Sequence, residues 1–293
     1  MRRFAVFLFV VISFLAAVPQ ARAAEPAWET REHRAQAHAA EPVWETRENW
    51  AQVFEAAKVH GTMLMYDEQA GRYFVHDLQR ARRGFIPAST FKLFNSLVAL
   101  EEKAVADEYE TLRWDGVERP QQGWNRDNSL ASSMKYSVVW FHQEMARRTG
   151  KVRMAHWITA SNYGNANIEG RTDGFWLDGA LRISAEQQIT FLRKLADGTL
   201  PFSAATQETV RRIALIEDGV GYHLHAKTGW GGADSSEDGA AIGWWTGWVE
   251  RDGRRWFFAI NIDIRKDADG NQRKHVARKI LEMEGALPKA QTR

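Results

Sequence analysis

The sequence predicts an α+β fold: an antiparallel sheet built from strands at both ends of the chain, with flanking helices and a mainly helical region inserted between the halves. Three observations predict it. Short β-rich runs at Gly61 to Tyr66 and Arg72 to His76 surround Asp67-Glu68-Gln69-Ala70-Gly71, a hairpin signal. Strand character returns at Tyr222 to Lys227, Ala241 to Glu250 and Arg255 to Ile264, the last two joined by the turn Arg251-Asp252-Gly253. Between them, from Phe91 to about Phe202, apolar residues recur mainly at helical spacing. Strands from the two ends must pair across the whole chain, which makes the middle an insertion.

The elements follow in order. Met1-Arg2-Arg3, an apolar run from Phe4 to Val18 and Ala21-Arg22-Ala23 read as a signal peptide over 1–23, cleaved before Ala24. The run is shorter than the roughly 20 residues a membrane span needs. The expectation is export to the periplasm without a stable membrane anchor. The leader takes three of the 39 Lys and Arg and none of the 37 Asp and Glu, leaving 36 against 37, a formal charge of −1. The net +2 of the whole chain therefore gives no reason to expect a nucleic-acid partner. There is no cysteine, hence no disulfide, thiolate nucleophile or lipid-modified cysteine. A chain of 293 residues can rely on core burial instead.

Residues 25–36, EPAWETREHRAQ, are echoed by 41–52, EPVWETRENWAQ, a single duplication with a period of 16. Residues 24–47 are read as a mobile arm without assigned function, 48–287 as the domain and 288–293 as a tail. The second copy runs into Val53-Phe54 and is expected in the domain's first helix. Gly- and Asn-rich loops are expected near 121–128 and 162–174, and Lys274 to Glu284 as a closing amphipathic helix.

The chemistry centres on Pro87-Ala88-Ser89-Thr90-Phe91-Lys92, which leads into a helix with Leu93, Phe94, Leu97, Val98 and Leu100 on its apolar face. Ser89 and Lys92, three apart, share one face of the first turn. A hydroxyl beside an amine in apolar surroundings can make a nucleophile. The ordinary reading is a capping serine and a solvated lysine, and Ser132 and Lys135 repeat the spacing. Ser137-Val138-Val139 follows where one helix ends and another, Val138 to Arg148, begins; the ordinary reading of Ser137 is an N-cap. Tyr163-Gly164-Asn165 reads as a turn, and Phe175-Trp176-Leu177-Asp178-Gly179 offers an indole donor. Lys227-Thr228-Gly229 at a strand end supplies donors for an anion, and its glycine lets a ligand approach the backbone.

Taken together, these motifs resemble the penicillin-recognising serine acyltransferases, and in detail the class D β-lactamases (oxacillinases). The resemblance includes the Ser-x-Val form at Ser137 to Val139, Gly243-Trp244-Trp245 and Gly247-Trp248-Val249, and covers roughly 48–287. It implies a β-lactam amide hydrolase with Ser89 as the acylated nucleophile and Lys92 carboxylated by carbon dioxide to an N6-carboxylysine, the general base. Trp176 would donate to the carbamate, and Val139 would favour it by offering the lysine no polar alternative. Ser137 and Lys227 would shuttle protons at the lactam nitrogen. Backbone N–H groups of Ser89 and Trp230 would form the oxyanion hole. Thr228, beside Gly229, and Arg273 would clamp the substrate carboxylate, with Lys274 or Arg265 as alternatives to Arg273.

A receptor that acylates without turnover, or a D,D-peptidase, are the alternative functions. Bicarbonate is the one small molecule required; no metal is expected, because His223 and His225 lack a third ligand at metal spacing. Glu169 and Asp173 read as a solvated loop, and the 13 tryptophans as core and sheet packing. Monomer and homodimer both remain open.

Overall fold

The computed structural model describes residues 43–232 and 239–289. The leader reading over 1–23, most of the arm and the last residues of the tail lie outside them.

Strand β1 (Val43–Thr46) precedes a 3-10 turn at Glu48–Trp50 and helix α1 (Ala51–Ala57). The hairpin β2 (Gly61–Asp67) and β3 (Arg72–His76) follows, then the short α2 (Leu78–Arg82). After the turn at Ala88–Phe91 comes α3 (Lys92–Glu101). The insertion carries a two-residue ladder, β4 (Thr111–Leu112) with β5 (Asn128–Ser129), and α4 (Leu130–Tyr136), α5 (Val139–Thr149) and α6 (Lys151–Ala160). Helices α7 (Ala185–Asp197) and α8 (Ala204–Ala214) lead back to β6 (Leu215–Gly219), β7 (Tyr222–Trp230), β8 (Ala241–Arg251) and β9 (Arg254–Ile264). Helix α9 (Gln272–Met283) follows a 3-10 turn at Asp267–Asn271.

The seven strands order as β1-β3-β2-β9-β8-β7-β6. Pairing of β2 with β9, Gly61 opposite Ile262 through Asp67 opposite Trp256, joins the two ends of the chain as expected. One pair departs from the antiparallel expectation: β1 runs parallel to β3, Val43 opposite Arg72. Residues 43–46, at the end of the duplicated segment, are thus paired into the sheet. Trp44 stacks on Tyr73 at 4.4 Å and Arg82 lies over the indole at 4.8 Å, while Arg47 N–H donates to Val75 O at 2.8 Å. Four residues are too few to display a strand period, so the edge contacts rather than the pattern define β1.

Alternation in the central strands sends successive side chains to opposite faces. Trp244, Trp248, Phe257 and Ala259 face α3 and α7 in one core; Trp245, Phe258, Ile260 and Ile262 face Phe54 of α1 and Val276 and Ile280 of α9 in the other. A third cluster, around Leu130, Val138, Phe141 and Met145, holds the insertion together. With both faces covered, β8 is buried along nearly its whole length.

Candidate active site

The turn before α3 is held under strain. Ala88 is fully buried with φ +48°, in the left-handed region that a non-glycine residue occupies at a cost of about 1–3 kcal/mol. Its N–H donates to Trp176 O at 2.9 Å, and Thr90 N–H and Oγ1–H donate to Pro87 O at 3.1 and 2.8 Å. Gln188 Nε2 on α7 donates to Thr90 Oγ1 at 2.8 Å. Strand β7 presses on the same turn: a Cβ on Gly229 would sit 2.9 Å from Pro87 O and 3.1 Å from Thr90 Cγ2. The missing side chain of Gly229 admits the protein's own nucleophile turn.

Ser89 therefore does not cap a helix. It sits in the 3-10 turn, and its Oγ accepts from Lys92 Nζ at 2.7 Å. Lys92 is 0% exposed, and burial without a compensating acid pulls its pKa down to about 7. The ring of Phe91 stacks on fully buried Trp176 at 5.1 Å and meets Phe175 edge-on at 5.2 Å, which closes this side to water.

Ser137 also departs from its reading as an N-cap. It closes α4 with φ +54°, its N–H on Met134 O at 3.3 Å, and Val138 precedes α5 without any side-chain cap. The left-handed residue reverses the chain and aims the hydroxyl at β7, where it accepts from Lys227 Nζ at 2.9 Å. Lys227 also donates to Thr228 O at 2.9 Å and is 4% exposed. Burial, and then the positive charges of Lys92, Arg273 and Lys274, push its ammonium well below the usual lysine range. The site thus holds two buried lysines, and the charge of Lys92 is one of those that disfavour the ammonium of Lys227.

His142 was not foreseen. It is completely buried on α5, its backbone carbonyl accepts from Asn95 Nδ2 at 2.8 Å, and its Nε2 lies 3.2 Å from Ser133 Oγ. Burial, and then the charges of Lys92 and Lys227, hold it neutral, well below the usual histidine range. A histidine inside an apolar helix gives no sequence signal of such a neighbourhood.

Val139 is the first residue of α5, directly after the turn that carries Ser137. Trp230, the last residue of β7, is 43% exposed and packs on Gly270. Arg273 places its guanidinium 5.7 Å from the Trp230 ring centroid, with Nε and Nη1 buried and unpartnered among the described residues. Burial lowers its pKa only to about 10, so it remains a cation at neutral pH. Arg265, the alternative, lies 3.9 Å from Asp263 and its N–H donates to Asp269 Oδ2, so it is tied to the end of β9. Lys274 lines a cleft of about 610 Å³ together with Lys227 and Thr228. A larger cleft of about 1020 Å³ lies between α1 and α9 and contains none of the nucleophile, the lysines or Ser137.

The other candidates are placed elsewhere. Ser132 forms a capping box with Ser129 at the start of α4, and Lys135 is exposed. Asp173 pairs with Arg147 at 2.6 Å, and Glu169 is exposed on the loop. Gly164 of Tyr163-Gly164-Asn165 has φ +58°, and a Cβ there would lie 2.2 Å from Arg182 O. Asn165 N–H donates to that carbonyl at 2.9 Å, so the motif clasps the segment that leads from Trp176 to the next helix. His223 pairs with Asp218 and His225 stacks on Trp248 at 4.3 Å; among the described residues no group of three metal-type side chains forms.

Comparison with known proteins agrees with this geometry. Residues 61–282 match the penicillin binding protein transpeptidase domain. The chain is 42% identical over 235 residues to β-lactamase OXA-48 of Klebsiella pneumoniae, covering 80% of this chain and 87% of that one. It is 38% identical over 227 residues to the probable β-lactamase YbxI of Bacillus subtilis, covering 78% and 82%. The crystal structure of FUS-1 (OXA-85), a class D β-lactamase from Fusobacterium nucleatum, superposes with a TM-score of 0.79 at 34% identity, covering 83% of this chain and 100% of that one. A buried serine–lysine turn against a Lys-Thr-Gly strand, carried on the whole length of that fold, places the chain in the class D β-lactamase family of hydrolases.

Proposed function

We propose that the chain hydrolyses the amide of oxacillin-type penicillins through an acyl-enzyme on Ser89. The observation that carries this reading is Lys92 Nζ, fully buried and 2.7 Å from Ser89 Oγ, with its pKa lowered to about 7. An alcohol needs an adjacent base to attack at neutral pH, and a lysine of ordinary pKa is protonated and cannot serve. At pH 7 about half of the Lys92 side chains are free amine.

The same surroundings suit carboxylation. Only a neutral amine adds carbon dioxide, and no acid is available to hold Lys92 as ammonium. An N6-carboxylysine would supply a carboxylate base beside Ser89 for both acylation and deacylation. The fully buried Trp176 brings an indole donor within the same aromatic group as Phe91.

The remaining roles follow the family resemblance, motif by motif. Attack by Ser89 Oγ on the lactam carbonyl develops an oxyanion at the backbone N–H groups of Ser89 and Trp230. The Lys92 base takes the proton of Ser89 Oγ. Ser137 Oγ–H gives its own proton to the departing lactam nitrogen, and Lys227, bonded to Ser137 Oγ, relays the replacement. One proton passes from Ser89 to the nitrogen in all. Thr228 and the unpartnered donors of Arg273 hold the substrate carboxylate, while Val139 offers Lys92 no polar partner in place of the carbamate.

The leader-like segment at 1–23 supports a periplasmic location, and no helix of the described residues is long and apolar enough to cross a membrane. Nitrocefin and oxacillin under excess substrate test the function. Steady multiple turnover is expected; a single burst of one equivalent would identify a receptor instead.

A further inference from the structure

The cleft that begins at Lys227 and Thr228 does not end at the carboxylate clamp. It continues past Lys274 to a rim formed by Tyr109, Leu215 and Ile216, which are 71%, 36% and 46% exposed. Its two acids are already committed: Glu108 is paired with Arg212, and Glu217 with Arg278 and the Tyr222 hydroxyl. Among the described residues no acid pairs with Lys274, and none pairs with Arg273. Lys274, which lines the cleft with Thr228, and Arg273, beside Trp230, are thus set at this end of β7 without a counter-charge from the cleft. Their mutual influence is visible in the lowered pKa of Lys227, where both Arg273 and Lys274 contribute, and in that of Lys274, where burial is followed by the charge of Arg273.

One substrate carboxylate needs Thr228 and one bidentate guanidinium. Lys274 is surplus to that demand. It also stands where the apolar rim begins, so a flat ring bearing negative charge would meet apolar surface and an ammonium together.

We propose that Lys274 forms a second anion subsite, which selects β-lactams carrying an acidic group on the fused ring next to the shared carboxylate. The inference rests on the β-lactam hydrolysis proposed above and specifies the substrate class of that site. Cephalosporins with an acidic heterocycle at the 3′ position have this chemistry.

Cefotaxime and ceftriaxone test it, because they share an acyl side chain and differ at 3′, a neutral acetoxymethyl group in one and an acidic triazinedione in the other. Each is measured as a competitor of nitrocefin turnover, for the wild-type chain, Lys274→Gln and Lys274→Arg. The wild type should bind ceftriaxone about 3–10-fold more tightly than cefotaxime, the range an accessible ion pair supplies. That preference should shrink as ionic strength rises. Lys274→Gln should erase the ratio between the two drugs, whatever its effect on nitrocefin turnover, and Lys274→Arg should retain it. Equal constants for the two drugs in the wild type, or a preference that survives in Lys274→Gln, would overturn the subsite alone. Failure of the wild type to turn over nitrocefin would overturn the proposed function and the subsite with it.

Discussion

Two serine–lysine pairs at the same spacing lie in this chain, and they have nothing else in common. Ser89 lies in a 3-10 turn and Lys92 at the buried start of α3 directly after it, with Nζ 2.7 Å from Oγ and the amine at a pKa of about 7. Ser132 and Lys135 lie at the surface of α4, where the serine hydroxyl donates to Asn128 Oδ1 at 2.8 Å and closes a capping box. Spacing of three brings two side chains to one helical face. Burial and a strained approach to the helix turn one such pair into a nucleophile with a base; solvent leaves the other as a cap and a charge.

The sharpest way to break this contrast is to remove each serine in turn. Ser89→Ala should reduce nitrocefin kcat/KM by about 10³-fold or more, as expected for loss of a covalent nucleophile. Ser132→Ala should leave kcat/KM within about twofold and cost about 0.5–1 kcal/mol in urea unfolding, the worth of a capping interaction. Comparable losses of activity in the two variants would erase the distinction.

The lysines come next. Lys92→Ala should leave a protein that still acylates slowly but does not deacylate, so intact-protein mass spectrometry should find a persistent acyl adduct and kcat should fall by about 10²-fold or more. Lys135→Ala should change kcat by less than about twofold. Clean turnover by Lys92→Ala would show that the buried amine is not the base.

A smaller, graded effect follows from pH. The folded pKa of Lys92 is lowered from 10.5 to about 7, so the folded protein binds fewer protons than the unfolded chain between those values. Stability from this group therefore rises as pH increases from about 7 to 10.5, and the burial penalty is complete below about 7. Activity has the same sign: kcat/KM should fall as pH drops below about 7 and recover partly on adding bicarbonate. A profile flat down to pH 5 would contradict a titrating Lys92.

Ala88→Gly is the smallest perturbation. Glycine accepts φ +48° without strain, so stability should rise by about 0.5–1 kcal/mol, with kcat/KM unchanged or slightly lower. A loss of stability would show that the Ala88 methyl packs more strongly than its backbone is strained.

Much of this was legible beforehand. The hairpin at 61–76, the paired β8 and β9 and the long helix after Lys92 display their periods over enough residues to be read, and five ordered motifs converge on one resemblance. What escaped depends on tertiary contact. Ser137 looked like an N-cap because serine at a helix junction usually is one, and only φ +54° reveals that it closes the preceding helix instead. Gly229 reads as room for a ligand at a strand end, and nothing in its local sequence shows that Pro87 O, 142 residues earlier in the chain, also needs its bare Cα. His142 carries no motif at all; only the fold brings it within the fields of both lysines.

The central claim is that burial leaves Lys92 as an amine able to take up carbon dioxide. Carbon-13 NMR of the purified enzyme with labelled bicarbonate tests it most directly, with Lys92→Ala as the control. One carbamate resonance is expected in the wild type, absent from Lys92→Ala, fading as pH falls below about 7 together with nitrocefin turnover. A fully active enzyme without that resonance, or with the same resonance in Lys92→Ala, would contradict the account.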